Sequence, residues 1–364
     1  MMAMQGAAVC SNTKKQMMTL QAQATTSGVL ARTNPFREDK NTGKIKKIRW
    51  CPSIILEPRS SKHFYTSGSP RFCMTPAQTT VKIALLQLTS EETPEANRKK
   101  SIGKIREAAE HGAKIICLQE LFTTKYFPYT EDHQNFALAE SIPGPTTEEM
   151  TQLAKELQVV IIAPVFEKRA QGVFHNSAVV IDADGKMLGT YRKMHIPDDP
   201  CFYEKFYFAP GDLGFKSFKT AYGTIGVLIC WDQWYPEAAR VTALSGAQII
   251  FYPTAIGYFD EDSSDVQKEL EDAWETIQRS HSIANGVFVA SVNRVGKEGK
   301  TNFWGRSFVA DPFGKMLVKA NDNEQIVYAE CDLNEIETTR QVWPFFRDRR
   351  IDAYQDILLR HKTQ

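Results

Sequence analysis

From residue 81 onward, short apolar runs alternate with segments whose apolar residues recur at helical spacing. Residues 81–88 read as a strand, and residues 94–111 as a helix with Pro94 near its start and Ile102, Ile105, Ala108 and Ala109 on one face. A buried strand at 114–119, a helix at 146–157 opened by Pro145, and a strand at 159–166 follow. Further on, strands at 224–230, 248–252 and 287–293 alternate with helices at 236–245 and 264–285, ended by Gly246 and Gly286. Two hairpins resemble each other. One carries Asp182-Ala183-Asp184-Gly185-Lys186-Met187-Leu188, the other Asp311-Pro312-Phe313-Gly314-Lys315-Met316-Leu317. In each, an apolar strand leads in and a glycine sits where the turn calls for positive φ. This internal likeness predicts two similar halves of one sandwich. With no linker between 81 and 360, it points to one α/β domain with strands inside and helices outside.

Composition leaves that picture intact and removes several functions. The chain has 364 residues, 42% hydrophobic and 24% charged, so a large core can form. The formal net charge is +1, which gives no basic field for a nucleic-acid partner. No apolar run approaches the ~18 residues of a membrane helix, so no membrane partner is expected. Seven scattered cysteines, with no Cys-x-x-Cys pair and no Asn-x-Ser/Thr sequon, suggest neither a zinc site nor a disulfide framework. They agree with a reducing, cytoplasmic home.

The balanced charge hides an asymmetry. Residues 1–80 carry a net +9 and residues 81–364 a net −8, and the first acid is Glu38. The segment 1–80 is therefore separated from the domain at 81–364. Its Ser-, Thr- and Ala-rich start resembles an organelle transit peptide, which would place the protein in a plastid or mitochondrion. A poorly ordered extension, or translation beginning at Met74, reads equally well.

Common catalytic motifs fail. The run from Gly296 to Thr301 lacks the first glycine of a phosphate-binding loop, since position 294 is Arg294. Gly-x-Ser-x-Gly, His-Glu-x-x-His and Gly-x-Gly-x-x-Gly are absent.

Three other segments each run from an apolar strand to a reactive residue: Ile115-Ile116-Cys117-Leu118-Gln119-Glu120, Tyr191-Arg192-Lys193-Met194-His195, and Ile225-Gly226-Val227-Leu228-Ile229-Cys230-Trp231-Asp232. Cys230 precedes a helix starting at Pro236, whose N-terminus would lower the thiol pKa. Free cysteine is also a common core residue. Glu120 at the end of an apolar strand needs a partner, and Lys193 would serve, although a purely structural ion pair leaves the same trace. If the three converge, Glu120 takes the thiol proton, Cys230 attacks an acyl carbon and Lys193 holds the oxyanion. A Cys–His pair using His195 or His281 is the rival mechanism, with His281 reading as packing on its helix.

These residues and their neighbours resemble the nitrilase superfamily, the carbon–nitrogen hydrolases. The matching motifs are Leu118-Gln119-Glu120-Leu121-Phe122, Tyr191-Arg192-Lys193-Met194-His195 and Ile229-Cys230-Trp231-Asp232, over about residues 81–356. The resemblance implies a four-layer αββα sandwich, a Glu120–Lys193–Cys230 triad, and a second glutamate at Glu204 that positions lysine and substrate. It implies an oxyanion hole shared by Lys193 and the Trp231 N–H, no metal or organic cofactor, and a homo-oligomer. Residues 199–202 depart from the family pattern. A catalytically silent scaffold of the same fold is the non-enzyme alternative, but no triad residue has been lost.

The resemblance further implies a small linear carbamoyl amine as substrate. Its ammonium would need a carboxylate or aromatic walls. Asp198 and Asp199, with Tyr203, Trp231 and Trp234, are the candidates; Gln233 and Asn293 are candidate pocket wall. The acids at 260–265 read as solvated surface. An anionic amide or ureido acid would instead require a cationic clamp, for which Arg240, Arg294 and Arg306 are available.

Overall fold

The computed structural model describes residues 79–363, which belong to one compact unit. The readings of residues 1–78 lie outside the described residues. Alternation in the first strand sets the layering. In β1 (Thr80–Gln87), Ile83 and Leu85 face the central core, while Ala84 and Leu86 join a second core under two helices. A strand buried on both faces reads as a continuous apolar run, which is what residues 81–88 show.

The elements then follow in order. The first half contains α1 (Pro94–Glu110), β2 (Ile115–Leu118), α2 (Pro145–Leu157), β3 (Val160–Ala170), β4 (Val173–Ile181), β5 (Met187–Arg192) and a single turn, α3 (Glu204–Tyr207). The second half contains β6 (Ser217–Thr220), β7 (Gly223–Val227), α4 (Pro236–Leu244), β8 (Ile249–Thr254), β9 (Gly257–Phe259), α5 (Ser264–Asn285), β10 (Phe288–Asn293), β11 (Val295–Glu298), β12 (Thr301–Trp304), β13 (Phe308–Ala310) and β14 (Met316–Lys319). The last two elements are β15 (Gln325–Asp332) and α6 (Asn334–Val342).

Two six-stranded sheets result, in the orders β15-β1-β2-β3-β4-β5 and β14-β13-β10-β8-β7-β6. In each, three parallel strands are joined through helices: β1, β2 and β3 by α1 and α2, and β7, β8 and β10 by α4 and α5. An antiparallel hairpin then extends each sheet. An antiparallel strand closes the opposite edge, β15 beside β1 and β6 beside β7.

The internal likeness is therefore real in three dimensions. The two hairpins close alike: Asp182 N–H donates to Lys186 O at 2.8 Å, and Asp311 N–H to Lys315 O at 2.9 Å. Their glycines, Gly185 and Gly314, sit at φ +84° and +80°. One core lies between the sheets and reaches Ala238, Ala239 and Ala243 of α4; another lies between α1, α2 and the outer face of the first sheet. The layers run helix, sheet, sheet, helix.

The structure departs from the sequence reading in two places. β7 stops at Val227, short of Cys230. A three-stranded sheet, β11-β12-β9, was not foreseen, and the failed phosphate loop is its β11–β12 hairpin. Among the described residues, no helix is long and apolar enough to cross a membrane.

Candidate active site

Four chain exits from the sheets converge. Strand β2 ends at Leu118, and Gln119 anchors the exit by accepting the Leu88 N–H at 2.8 Å. Leu121 then adopts φ +49°, turning the chain immediately after Glu120. Lys193 is the first residue beyond β5; its N–H bonds Asn176 O and its carbonyl accepts the Gly211 N–H, each at 2.8 Å. Only glycine fits at 211, since a Cβ there would lie 2.1 Å from Arg192 O. Glu204 opens the α3 turn. Cys230 starts a short 3₁₀ turn, 230–234, at φ +43°, a conformation costing about 1–3 kcal/mol in a non-glycine residue.

The side chains form a dry ion cluster. Lys193 Nζ donates to Glu120 Oε1 at 2.8 Å and to Glu204 Oε1 and Oε2 at 2.9 and 2.7 Å. All three residues are 0% exposed. Asn176 Nδ2 also donates to Glu120 Oε1, at 2.7 Å, and the Tyr126 hydroxyl donates to Glu204 Oε1 at 2.8 Å. Glu120 Oε2 is buried with no hydrogen-bond partner among the described residues. That leaves one carboxylate oxygen free to take a proton.

Charge effects set the protonation states. Burial works against the Lys193 ammonium, but the Glu120 and Glu204 carboxylates outweigh it and hold the amine above its ordinary value. For Glu204 burial wins: its carboxyl is pushed up to about 7 despite the pull of Lys193, with Glu120 adding to the rise. The Cys230 thiol is raised well above its ordinary value, chiefly by burial and next by the Glu120 charge, with Lys193 opposing. This overturns the expectation of a thiolate made by a helix N-terminus. Helix α4 begins only at Pro236, beyond the 3₁₀ turn, and its dipole fades within a turn. A thiol raised in this way calls for a neighbouring base if it is to react.

The remaining candidates fall in different places. His195 Nδ1 lies 2.7 Å from Asp232 Oδ1, and its ring stacks on Tyr235 at 3.6 Å. His281 Nε2 is 2.8 Å from Gln233 O. Both rings serve other partners, so the Cys–His mechanism finds no geometric support. Trp231 and Tyr203 are half-buried beside Cys230 and Glu204 in the chain. Trp234 packs on the Trp274–Trp304–Phe308 cluster. Asp198 is exposed. Arg240 donates to Ala284 O, and Arg306 faces Glu271 and Asp322 at 3.8 Å each.

Sequence reasoning missed Asn176, Tyr126 and Asp232. Asp232 carried the signal used for Glu120, a polar residue where an apolar run ends; Asn176, between His175 and Ser177, did not. Asp232, 0% exposed, accepts from Tyr191 Oη, His195 N and Ile229 N at 2.7, 3.0 and 2.9 Å. It ties the turn carrying Cys230 to the segment carrying Lys193. Tyr126 had no such signal.

Comparisons with known proteins identify the family. The family model for carbon-nitrogen hydrolase matches residues 82–341. An N-carbamoylputrescine amidase of Oryza sativa subsp. japonica is 44% identical over 288 residues, 76% of this chain and 94% of the relative. A citrullinase of Francisella tularensis is 38% identical over 287 residues, 77% of this chain and 99% of the relative. The crystal structure of a carbon-nitrogen hydrolase from Helicobacter pylori G27 superposes with a TM-score of 0.76 at 46% identity, covering 78% of this chain and all of that one. The chain belongs to the carbon–nitrogen hydrolase family and is an amidohydrolase on a nitrilase fold.

Proposed function

We propose that the protein hydrolyses N-carbamoylputrescine to putrescine, CO2 and ammonia, a step of polyamine biosynthesis. The observation that carries the chemistry is the buried Lys193 held by Glu120 and Glu204, with the Cys230 thiol in the field of all three. Glu120, through its free Oε2, takes the thiol proton, and the sulfur attacks the ureido carbon. The Lys193 ammonium and the Trp231 N–H hold the oxyanion. The terminal nitrogen leaves as ammonia, carrying the proton from Glu120, and the carbonyl remains on sulfur as a thiocarbamate. Glu120 then deprotonates water, which attacks that carbonyl and displaces Cys230. The resulting carbamate loses CO2 to free the amine. Glu204 orients Lys193 throughout.

The arginine contacts favour an amine over an acid as substrate. The three arginines available as anion clamps are engaged elsewhere, and Arg294 is 0% exposed with both terminal nitrogens donating to protein oxygens. The reading draws on the plant relatives for the particular amine. Homo-oligomeric assembly and a cytoplasmic location belong to the same reading, through the family resemblance and the composition.

The test is ammonia release from N-carbamoylputrescine, N-carbamoyl-β-alanine and glutaramate. The amine substrate is expected to dominate; preference for either acid would reject the substrate but keep the chemistry. Asp198→Ala is expected to raise KM for the amine less than about fivefold, since an exposed ion pair contributes at most about 1 kcal/mol. The same change for a neutral amide would show that Asp198 does not read the amine.

Glu204 predicts a pH dependence. Its raised pKa means the ionised form that holds Lys193 is gained as pH rises through about 7. The acid limb of kcat/KM is expected near there and is expected to vanish in Glu204→Gln. A limb unchanged in that variant would assign it to another group.

A further inference from the structure

The sequence offered Arg294 as a substrate clamp. Its surroundings give it a different task. The side chain is fully buried, it lies over the Phe303 ring, and its two terminal nitrogens donate to protein oxygens. One terminal nitrogen donates to Ser90 Oγ at 2.7 Å, Thr124 O at 2.9 Å and Glu298 Oε1 at 2.8 Å. The other donates to the backbone carbonyls of Glu120 and Leu121, both at 3.0 Å. Those carbonyls flank the left-handed Leu121, φ +49°, the residue whose turn aims Glu120. A branched aliphatic residue in that conformation persists only where surrounding contacts hold it.

The contacts continue into the site. Glu298 Oε2 accepts the Tyr126 N–H at 2.6 Å, and the Tyr126 hydroxyl donates to Glu204. Lys193 then bridges Glu204 back to Glu120. The chain of hydrogen bonds is a closed ring: Glu120 main chain, Arg294, Glu298, Tyr126, Glu204, Lys193, Glu120 carboxylate.

We propose that Arg294 and Glu298 are positioning residues for catalysis, fixing the backbone that carries Glu120 and, through Tyr126, the orientation of Glu204. This deepens the function proposed above and rests on its assignment of Glu120 as the base. Neither residue touches the reacting atoms. Arg294 fits the task because its planar fork reaches two successive carbonyls at once, which a lysine cannot reproduce.

Glu298→Gln is the informative variant. An amide offers a single oxygen to two donors, Arg294 and the Tyr126 N–H, and turns its NH2 toward the other. One link of the ring is lost while side-chain volume is kept. Glu204 is faced by Lys193, Glu120 and Tyr126, and the Tyr126 hydroxyl is one of the groups holding its pKa down. A displaced Tyr126 therefore moves the acid limb to higher pH.

The experiment uses the full chain and two readouts. In Glu298→Gln, kcat for ammonia release is expected to fall about tenfold with KM nearly unchanged, and the acid limb to move upward. The rate of Cys230 alkylation by iodoacetamide against pH is expected to shift in the same direction. Because alkylation needs no particular substrate, it separates this proposal from the choice of N-carbamoylputrescine. Arg294→Ala, with and without added guanidinium, is the second variant, and partial recovery of the alkylation rate by guanidinium is expected. A folded Glu298→Gln protein with wild-type kcat, pH profile and alkylation rate would overturn the proposal. So would a loss of activity that follows thermal stability alone, with both pH profiles unmoved.

Discussion

Replacing Cys230 by alanine is expected to abolish ammonia release from every substrate while leaving the fold intact. The loss should be on the order of 10⁵-fold or more, because without sulfur no acyl-enzyme forms and the remaining groups offer only binding and oxyanion stabilisation. The fold should survive because the change removes one small, 5% exposed side-chain atom whose nearest polar contact is a weak one, Ala255 O at 3.9 Å. Mass spectrometry checks the mechanism directly: wild-type protein quenched during turnover should carry the N-(4-aminobutyl)carbamoyl adduct on Cys230, and the variant none. Turnover retained in the variant, or an adduct on another residue, would reject Cys230 as nucleophile.

Lys193→Met should combine the largest loss of stability with a large loss of rate. An ion pair buried at 0% exposure contributes little over a well-packed apolar replacement, but removal of one partner strands the other charge. Here two carboxylates would face each other unpaired, costing about 3–5 kcal/mol. For a domain of this size that is roughly 10 °C in melting temperature. Loss of the ammonium from the oxyanion hole should lower kcat a further 10²–10³-fold, on the order seen for such donors.

The stability loss should depend on pH. Without Lys193, Glu204 loses the charge that restrains its rise, so its folded-state pKa moves above 7. A carboxyl whose folded pKa exceeds its unfolded value contributes stability below the unfolded pKa and loses it as pH rises through the folded one. The variant should therefore melt higher at pH 5.5 than at pH 8. A melting curve with no such slope would show that Lys193 is not the main counter-ion of the cluster.

The elements legible in the sequence were those whose signal is local. Strand β1 and helix α5 stand almost where the apolar pattern put them, because burial on one face or two writes a period of 2, a continuous run, or a period of 3.6 into the chain. The paired hairpins were legible through Asp and Gly, since only glycine takes positive φ freely at those turns. The small β11-β12-β9 sheet was not legible. Its strands are short, and β9 lies far from its partner β12 in sequence.

At the site, Glu120, Lys193 and Cys230 announced themselves as polar residues where apolar strands end. Such a residue must find a partner, and the sequence alone showed that a partner was needed. Lys193 was the candidate, and only the structure brings the two together. Asp198 and Glu204 are both acids outside the strands, yet one is exposed and the other is 0% exposed beneath the lysine. Arg294 looked like a free cation and is a buried brace. The pKa of Cys230 was read with the wrong sign, because a helix start can be seen in sequence and burial cannot.

The sequence by itself determined the layering, the two-fold likeness, the family and which residues are candidates for the chemistry. These depend on residue type and spacing, which local physics reads directly. Only the tertiary structure decided which carboxylate oxygens Lys193 reaches, which oxygen of Glu120 stays free, and that burial raises the Cys230 thiol. Each of these rests on desolvation and on contacts between segments distant in the chain, and neither quantity exists until the two sheets have closed on one another.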